Sequence, residues 1–465
     1  SGVAYGKSEA TDIAQRVIAD HIRAVAFAIA DGQLPSSSGA GYVIRRILRR
    51  AIRYGFSYLD LKTPFMFQLV DTLEAQMGEF FPEITTQKSL VMKVIEEEEQ
   101  SFLRTLAQGL AKLDDFLAEG NKTLDGKRAF ELYDTYGFPI DLTELIMREN
   151  DKVVDMAEFT AEMTAQKERS RAATKLSTDD WTVLEDDETQ EFVGYDYTSA
   201  EVRITRYRKV SAKNKEFYQL VLSLTPFYPE GGGPVGDTGV LVQGNQKIGI
   251  FDTKKENGII VHFTKELPSD LSGSWSAEVS ESKRRETAKN HSATHLMHEA
   301  LREVLGTHVE QKGSLVNSEY LRFDFSHFQK VSDEELTQIE ALVNQRIQAN
   351  LPLEEFRNIP IAEAKDMGAM MLFGEKYGDT VRAIKFGSSI ELCGGIHVKA
   401  TGSIGLFKFM SEGAVAAGVR RVEAVTGMGA MKYIGDALST LRDAAEVLKN
   451  PKDLAGAIQQ LKEKE

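Results

Sequence analysis

Apolar residues recur at spacings of four, three and four through Ile18, Ile22, Val25 and Ile29, the period of a helix with one buried face. The pattern stops at Gly32, with Pro35 beyond. A second helix is expected over residues 42–54, and a longer one through Ile95, Phe102, Leu103 and Leu106. The four successive acids Glu96, Glu97, Glu98 and Glu99 read as a solvated face. Over residues 174–188 the composition turns small and acidic, the mark of a domain junction. Beyond it the period drops to two. Leu220, Leu222 and Leu224 alternate with other residues, and 248–251 and 259–261 are short β-type runs. Short strands joined by Gly-rich turns predict a small barrel or sandwich. Helical spacing returns at Glu281 and again over 333–349, with the strand-like stretch 321–325 between them. The tail carries Leu438, Leu441, Ala445 and Leu448 on one helical face until Pro451 interrupts it.

These periods predict a multidomain α+β chain. A helical domain is expected over 1–180, a small β-barrel domain over 181–275, an α+β domain over 276–430, and the start of a C-terminal helical arm over 431–465. The 465 residues suit about three domains. No apolar run approaches the ~18 residues that span a bilayer. The start, Ser1-Gly2-Val3-Ala4-Tyr5, has neither an initiator Met nor a basic segment followed by an apolar one, so no secretory signal is expected. With 56 basic against 70 acidic residues the net charge is −14, so any nucleic-acid contact must use a local basic patch. Cys393 is the single cysteine, which excludes an intramolecular disulfide and fits a reducing cytoplasm.

That cysteine belongs to the strongest chemical signal. His291-Ser-Ala-Thr-His295 places two imidazoles on one helix face, and Cys393-Gly-Gly-Ile-His397 adds a thiol and a third imidazole around a tight glycine turn. Three nitrogens and one thiolate suit a tetrahedral Zn²⁺, one per chain. Either half alone reads more simply as surface histidines or a buried thiol. Together they resemble the editing domain of alanyl-tRNA synthetases and of their free-standing editing relatives; threonyl-tRNA synthetases carry a related domain. The surroundings extend the likeness: Asn290, His298, Gly306-Thr-His308, Gln311-Lys-Gly-Ser-Leu315, Arg322-Phe-Asp-Phe-Ser-His327, Gly374-Glu-Lys-Tyr377 and Ala417-Gly-Val-Arg-Arg-Val-Glu-Ala424. His298 and His308 themselves read as hydrogen-bonded surface or core histidines.

Thr225-Pro-Phe-Tyr-Pro-Glu-Gly-Gly-Gly-Pro-Val-Gly-Asp-Thr-Gly239 is the densest glycine cluster and lacks the Gly-Lys-Ser/Thr ending of a phosphate loop. By backbone chemistry it is a tight turn between strands. Gly2-Val-Ala-Tyr-Gly6-Lys7-Ser8 is one residue short of a phosphate loop and has no strand before it. The resemblance makes the glycine cluster a wall of the editing pocket, with Gly232, Gly233, Thr294, Gln311 and Ile396 in or beside it. It also marks two departures, since the family usually has Gln at Pro234 and Thr at Ile396.

Arg45, Arg46, Arg49, Arg50 and Arg53 form the densest basic stretch, fit either for RNA phosphates or for ion pairs over a packed core. Residues 41–53, 16–23 and 132–143 resemble the tRNA-recognition region of the same family, and the resemblance makes all five arginines tRNA contacts. The resemblance gives Asp134 the role of reading a G·U wobble pair in the acceptor stem of tRNA(Ala), where the guanine amino group protrudes as a donor. Ser37 stands where the family's companion asparagine lies.

By this resemblance the chain binds tRNA(Ala) and hydrolyses mischarged Ser-tRNA(Ala) or Gly-tRNA(Ala). The alternative is an RNA-binding module with a structural zinc and an inactive pocket. Four protein ligands suit a closed structural site, whereas activating water needs an open position. Cys393 as a nucleophile ranks below both metal roles. In the family the motifs for ATP, Mg²⁺ and alanine lie ahead of the segment that begins here, so the chain is expected to lack the aminoacylation core and to activate no alanine. A monomer is expected, the family's later coiled-coil region lying beyond Glu465.

Overall fold

The computed structural model describes residues 2–36, 39–172, 177–178, 180–186, 190–212, 215–371, 377–416 and 418–463. They fall into two compact units. One holds residues 1–175 with 326–330 and 414–420; the other holds 176–325, 331–413 and 421–465.

The first unit is helical. Ile18, Ile22, Val25 and Ile29 are buried along Glu9–Ala30, and Gly32 takes a positive φ of 90° just past its end. Gly39–Tyr58 buries Ile44, Leu48, Ala51 and Ile52, and Lys88–Ala118 buries Val91, Ile95, Phe102 and Leu106. These residues close one apolar cluster. The acidic run on the last helix departs from expectation, because Glu98 and Glu99 are buried. Consecutive helical residues point about 100° apart, so a run of four cannot stay on one face. Glu99 is used as a cap: its carboxylate accepts from the backbone N–H groups of Phe65, Met66 and Phe67 at 3.0, 2.9 and 3.2 Å.

The second unit opens with a nine-stranded sheet, within which every named pairing is antiparallel. Its main path runs Ser177–Thr178, Ile204–Ala212, Lys215–Leu222, Ile259–Thr264, Gln246–Glu256, Gly239–Gln243, Trp275–Val279, Ser199–Val202. Ser199–Val202, the last strand of this path, runs on through Arg203 into Ile204–Ala212 near its other end, and the Arg203 carbonyl accepts from the Ser223 N–H at 2.9 Å. The stretch 199–212 thus pairs with Trp275–Val279 through its first part and with Lys215–Leu222 through its second. The alternation fixes the faces: Leu220, Leu222 and Leu224 pack on Trp275 and Leu241, while Val221 joins Val261 and Phe263 on the other side.

The rest of this unit mixes helix and sheet. Glu281–Leu305 and Asp333–Gln348 share an apolar cluster with Phe323 and Phe325 of the strand Leu321–Ser326. Asp333–Gln348 starts at a capping box between Ser332 and Glu335 and buries Ile339, Val343 and Ile347 at a spacing of four. A three-stranded antiparallel sheet, Glu354–Pro360, Thr380–Phe386 and Ser389–Leu392, ends one residue before Cys393. Gly427–Val447 and Leu454–Lys462 are helices on either side of Pro451.

Candidate metal centre

The middle of Glu281–Leu305 is buried on every side, from Asn290 through His298. Helical geometry turns His291 and His295 to one face, with ring centroids 5.0 Å apart. The strand Ser389–Leu392 delivers Cys393, and the chain then folds back so that the His397 ring stacks on His291 at 4.3 Å. Gly395 makes that approach possible, since a Cβ there would overlap the His291 ring. Sγ of Cys393 lies 3.7 Å from His291 Nε2 and 3.5 Å from His397 Nε2. The four donor atoms all lie within 4.8 Å of one another. Tetrahedral zinc with M–N near 2.05 Å and M–S near 2.3 Å needs donors roughly 3.5 Å apart, so this set could hold such an ion with small adjustments.

Hydrogen bonds already orient the rings. His291 Nδ1 donates to the Ile396 carbonyl at 3.0 Å, which leaves Nε2 with its lone pair. Ser292 Oγ lies 3.0 Å from His397 Nδ1 and accepts from the Val398 N–H at 3.1 Å. Burial, reinforced by His295, brings His291 down to about 3, and burial likewise lowers His295 and His397. All three imidazoles are therefore neutral near pH 7, the form that ligates metal. Burial pushes the Cys393 thiol up to about 12, so in the metal-free chain it stays protonated. A cation among these four groups would reverse that preference.

Beside the cluster opens a cavity of about 500 Å³. His291, His295 and Cys393 form part of its wall, and so do Gly232, Thr294 and Gln311. Thr294 Oγ1 donates to the Asn290 carbonyl at 2.8 Å. Gly233 is packed against Ser314, where a Cβ would come within 2.9 Å at a φ of 114°. Ile396 is buried in the apolar cluster and serves through its carbonyl. Pro234 is also buried, bridging to Val316 in the tight turn that the glycines predicted.

Sequence reasoning passed over Glu391. Burial alone would raise its pKa, but His295 and His298 outweigh that and hold the carboxylate below its usual range. Its Oε1 accepts from His298 Nδ1 at 3.1 Å, and its Oε2 lies 3.9 Å from His295 Nε2. The residue also lines the cavity. A single acid between Ile390 and Leu392 gives no local signal; its place two residues before the thiol is the only hint.

The arginine stretch divides. Arg49 and Arg53 are buried. Arg53 grips Glu149 through two bonds of 3.0 and 2.6 Å, and Arg49 donates to the Gly137 carbonyl and lies over the Phe102 ring. Arg45 donates to Glu98 at 3.1 Å. These three follow the reading of ion pairs over a packed core, because the stripe they share faces the neighbouring helices. Arg46, paired with Asp141 at 3.3 Å, and Arg50 are exposed. Asp134 is exposed, accepting from Gln166 at 3.0 Å, and Ser37 lies outside the described residues.

Residues 1–281 match the model for class II (A) tRNA synthetases. Residues 381–423, which include Cys393 and His397, match the second additional domain of threonyl and alanyl tRNA synthetases. The chain is 60% identical over 464 residues to the alanine–tRNA ligase of Flavobacterium psychrophilum, covering 97% of this chain and 52% of that protein. It is 57% identical over 466 residues to the enzyme of Christiangramia forsetii, covering 100% and 54%. For Bacteroides fragilis the figures are 58% over 462 residues, 98% and 53%. The chain thus spans about half the length of these relatives. The class II match over its first 281 residues corrects the expectation that it stands apart from the aminoacylation portion of a synthetase. Both matched stretches, and relatives that agree along nearly the whole sequence, lead to one assignment: the chain belongs to the alanyl-tRNA synthetase family of class II tRNA synthetases.

Proposed function

We propose that this chain, as part of an alanine–tRNA ligase of the cytoplasm, binds tRNA(Ala) and hydrolyses Ser-tRNA(Ala), and more weakly Gly-tRNA(Ala), in the cavity beside His291, His295, Cys393 and His397. The observation that carries the reading is the convergence of those four donors, three of which, His291, His295 and Cys393, form part of the wall of a cavity of about 500 Å³. Zinc held by the four residues would ionise Cys393 and put positive charge beside the ester carbonyl. A pocket fitted to alanine excludes an added hydroxyl by only about a hundredfold, which is why a second, hydrolytic site has a purpose. Glu391 sets negative charge on the cavity wall, complementary to the α-ammonium group of an aminoacyl ester. Hydrolysis adds water to the ester carbonyl carbon, breaks the carbon–oxygen bond to the terminal ribose and returns a proton to the ribose oxygen. Exposed Arg46 and Arg50 supply phosphate contacts, and the Asp134 carboxylate reads the wobble guanine.

The test is deacylation of Ser-tRNA(Ala) by this chain beside its Cys393→Ala variant. Fast hydrolysis that disappears in the variant supports the proposal. A second reading rests on the closed set of four protein ligands, which suits a structural ion. Bound zinc and intact tRNA binding with no hydrolysis would replace the first reading with the second.

A further inference from the structure

Three successive carbonyls of the Cys-Gly-Gly segment are held by two side chains far away in sequence. Arg382 Nη1 donates to the carbonyls of Cys393 and Gly395 at 2.9 and 2.7 Å, and Tyr195 Oη donates to that of Gly394 at 2.6 Å. The Arg382 backbone carbonyl also accepts from the Cys393 N–H at 3.0 Å. The two side chains brace each other, with the guanidinium carbon 4.1 Å from the centre of the Tyr195 ring. Glu355 fixes Arg382 from behind, accepting from its Nε at 2.6 Å.

The turn that carries Tyr195 is tied to the other half of the cluster as well. Arg284 stands two helical turns before His291 on Glu281–Leu305, and its Nη1 donates to the carbonyls of Gly194 and Tyr197 at 2.9 and 3.4 Å. One short turn, residues 194–197, therefore spans from the helix with two ligands to the loop with the other two. With all three carbonyls held outside, Gly395 can turn its N–H toward Cys393 Sγ, 3.3 Å away.

We infer that Tyr195 and Arg382 are positioning residues for the metal centre, with the turn at 194–197 acting as the strut that sets the distance between its helical and loop halves. The inference rests on the proposed zinc site. Neither side chain is a ligand; each acts through the backbone of 393–395. Outer partners of this kind govern metal affinity by about 10–100-fold.

The test uses the full chain with Tyr195→Phe and Arg382→Lys, each checked for unchanged folding by circular dichroism. Zinc affinity is read by chelator competition, and site geometry by the absorption bands of the Co²⁺ form. A third measurement is the rate at which a disulfide reagent modifies Cys393, the chain's single thiol, in metal-free protein. The expected results are zinc binding weakened by about tenfold or more in Arg382→Lys and by several-fold in Tyr195→Phe, shifted Co²⁺ bands, and faster thiol modification in both. Folded variants with wild-type affinity, spectrum and thiol rate would overturn the inference. If the wild-type chain takes up no zinc, the proposed function fails, and the thiol rates alone decide whether the two side chains order the loop.

Discussion

Gly395 sits against the imidazole of His291, so that any side chain at this position would need the space of the ring. The contact joins residues more than a hundred positions apart and brings the loop histidine onto the helix pair. Gly395→Ala is expected to push His291 out of line and weaken zinc binding by at least about tenfold, with a packing cost of about 1–3 kcal/mol. Chelator competition and a urea titration measure the two effects separately. Unaltered zinc affinity in the variant would show that the ring can move aside freely.

Arg284 and Asp237 form an ion pair that is buried on both sides. Arg284 also donates to Gly194, Tyr197 and Pro226, and Asp237 accepts from the Tyr228 N–H at 2.7 Å. Removing one charge strands the other. Asp237→Ala should destabilise the unit by about 3–5 kcal/mol, read as a lower urea midpoint. The double variant Arg284→Met/Asp237→Leu should recover part of that loss.

His262 is fully buried in the nine-stranded sheet, its Nδ1 donating to the Leu220 carbonyl at 3.1 Å and its Nε2 2.7 Å from Thr225 Oγ1. Burial brings its pKa down to about 4. The unfolded chain therefore takes up this proton first. The stability that the neutral ring contributes is complete above about pH 6.5 and is lost as pH falls toward 4, by about 3 kcal/mol at most. Urea midpoints measured over this interval should fall with pH in the wild type and fall less steeply in His262→Gln. An equal slope in both proteins would remove His262 from the acid response.

The arginine helix offers a separation of roles. Arg53→Ala removes a buried guanidinium that grips Glu149 and packs on the Tyr54 and Tyr58 rings, and should lower stability by about 2 kcal/mol. Arg50→Ala removes an exposed charge and should leave the urea midpoint within about 0.5 kcal/mol of wild type. If the proposed RNA contact is right, Arg50→Ala also lowers the salt dependence of tRNA(Ala) binding by about one counterion. Unchanged binding at every salt concentration would count against Arg50 as a phosphate contact.

What the sequence made legible was local. Helical spacing located Ile18 to Ile29, alternation located Leu220 to Leu224, and two five-residue motifs located all four donors, because each pattern is completed within one turn or one strand. Tyr195, Arg382 and Glu391 escaped notice because their importance comes from chain segments brought together only by folding. The acidic run 96–99 misled, and the arginine stretch hid its division, for a shared reason. Composition records charge, whereas a helix distributes consecutive residues around its axis, so Glu99 and Arg53 turned inward while Arg50 turned out.

The pairing of Ala383 with Leu392 places Cys393 just past the end of a hairpin. A slip of one residue there would send the thiol to the opposite side of the sheet and carry Leu392 toward the histidines. A divalent ion held as proposed would find the thiol beside its histidines only in the correct alignment. Metal capture would thus act as a proofreading step in folding, drawing misaligned hairpins back to the one register that the ion can recognise.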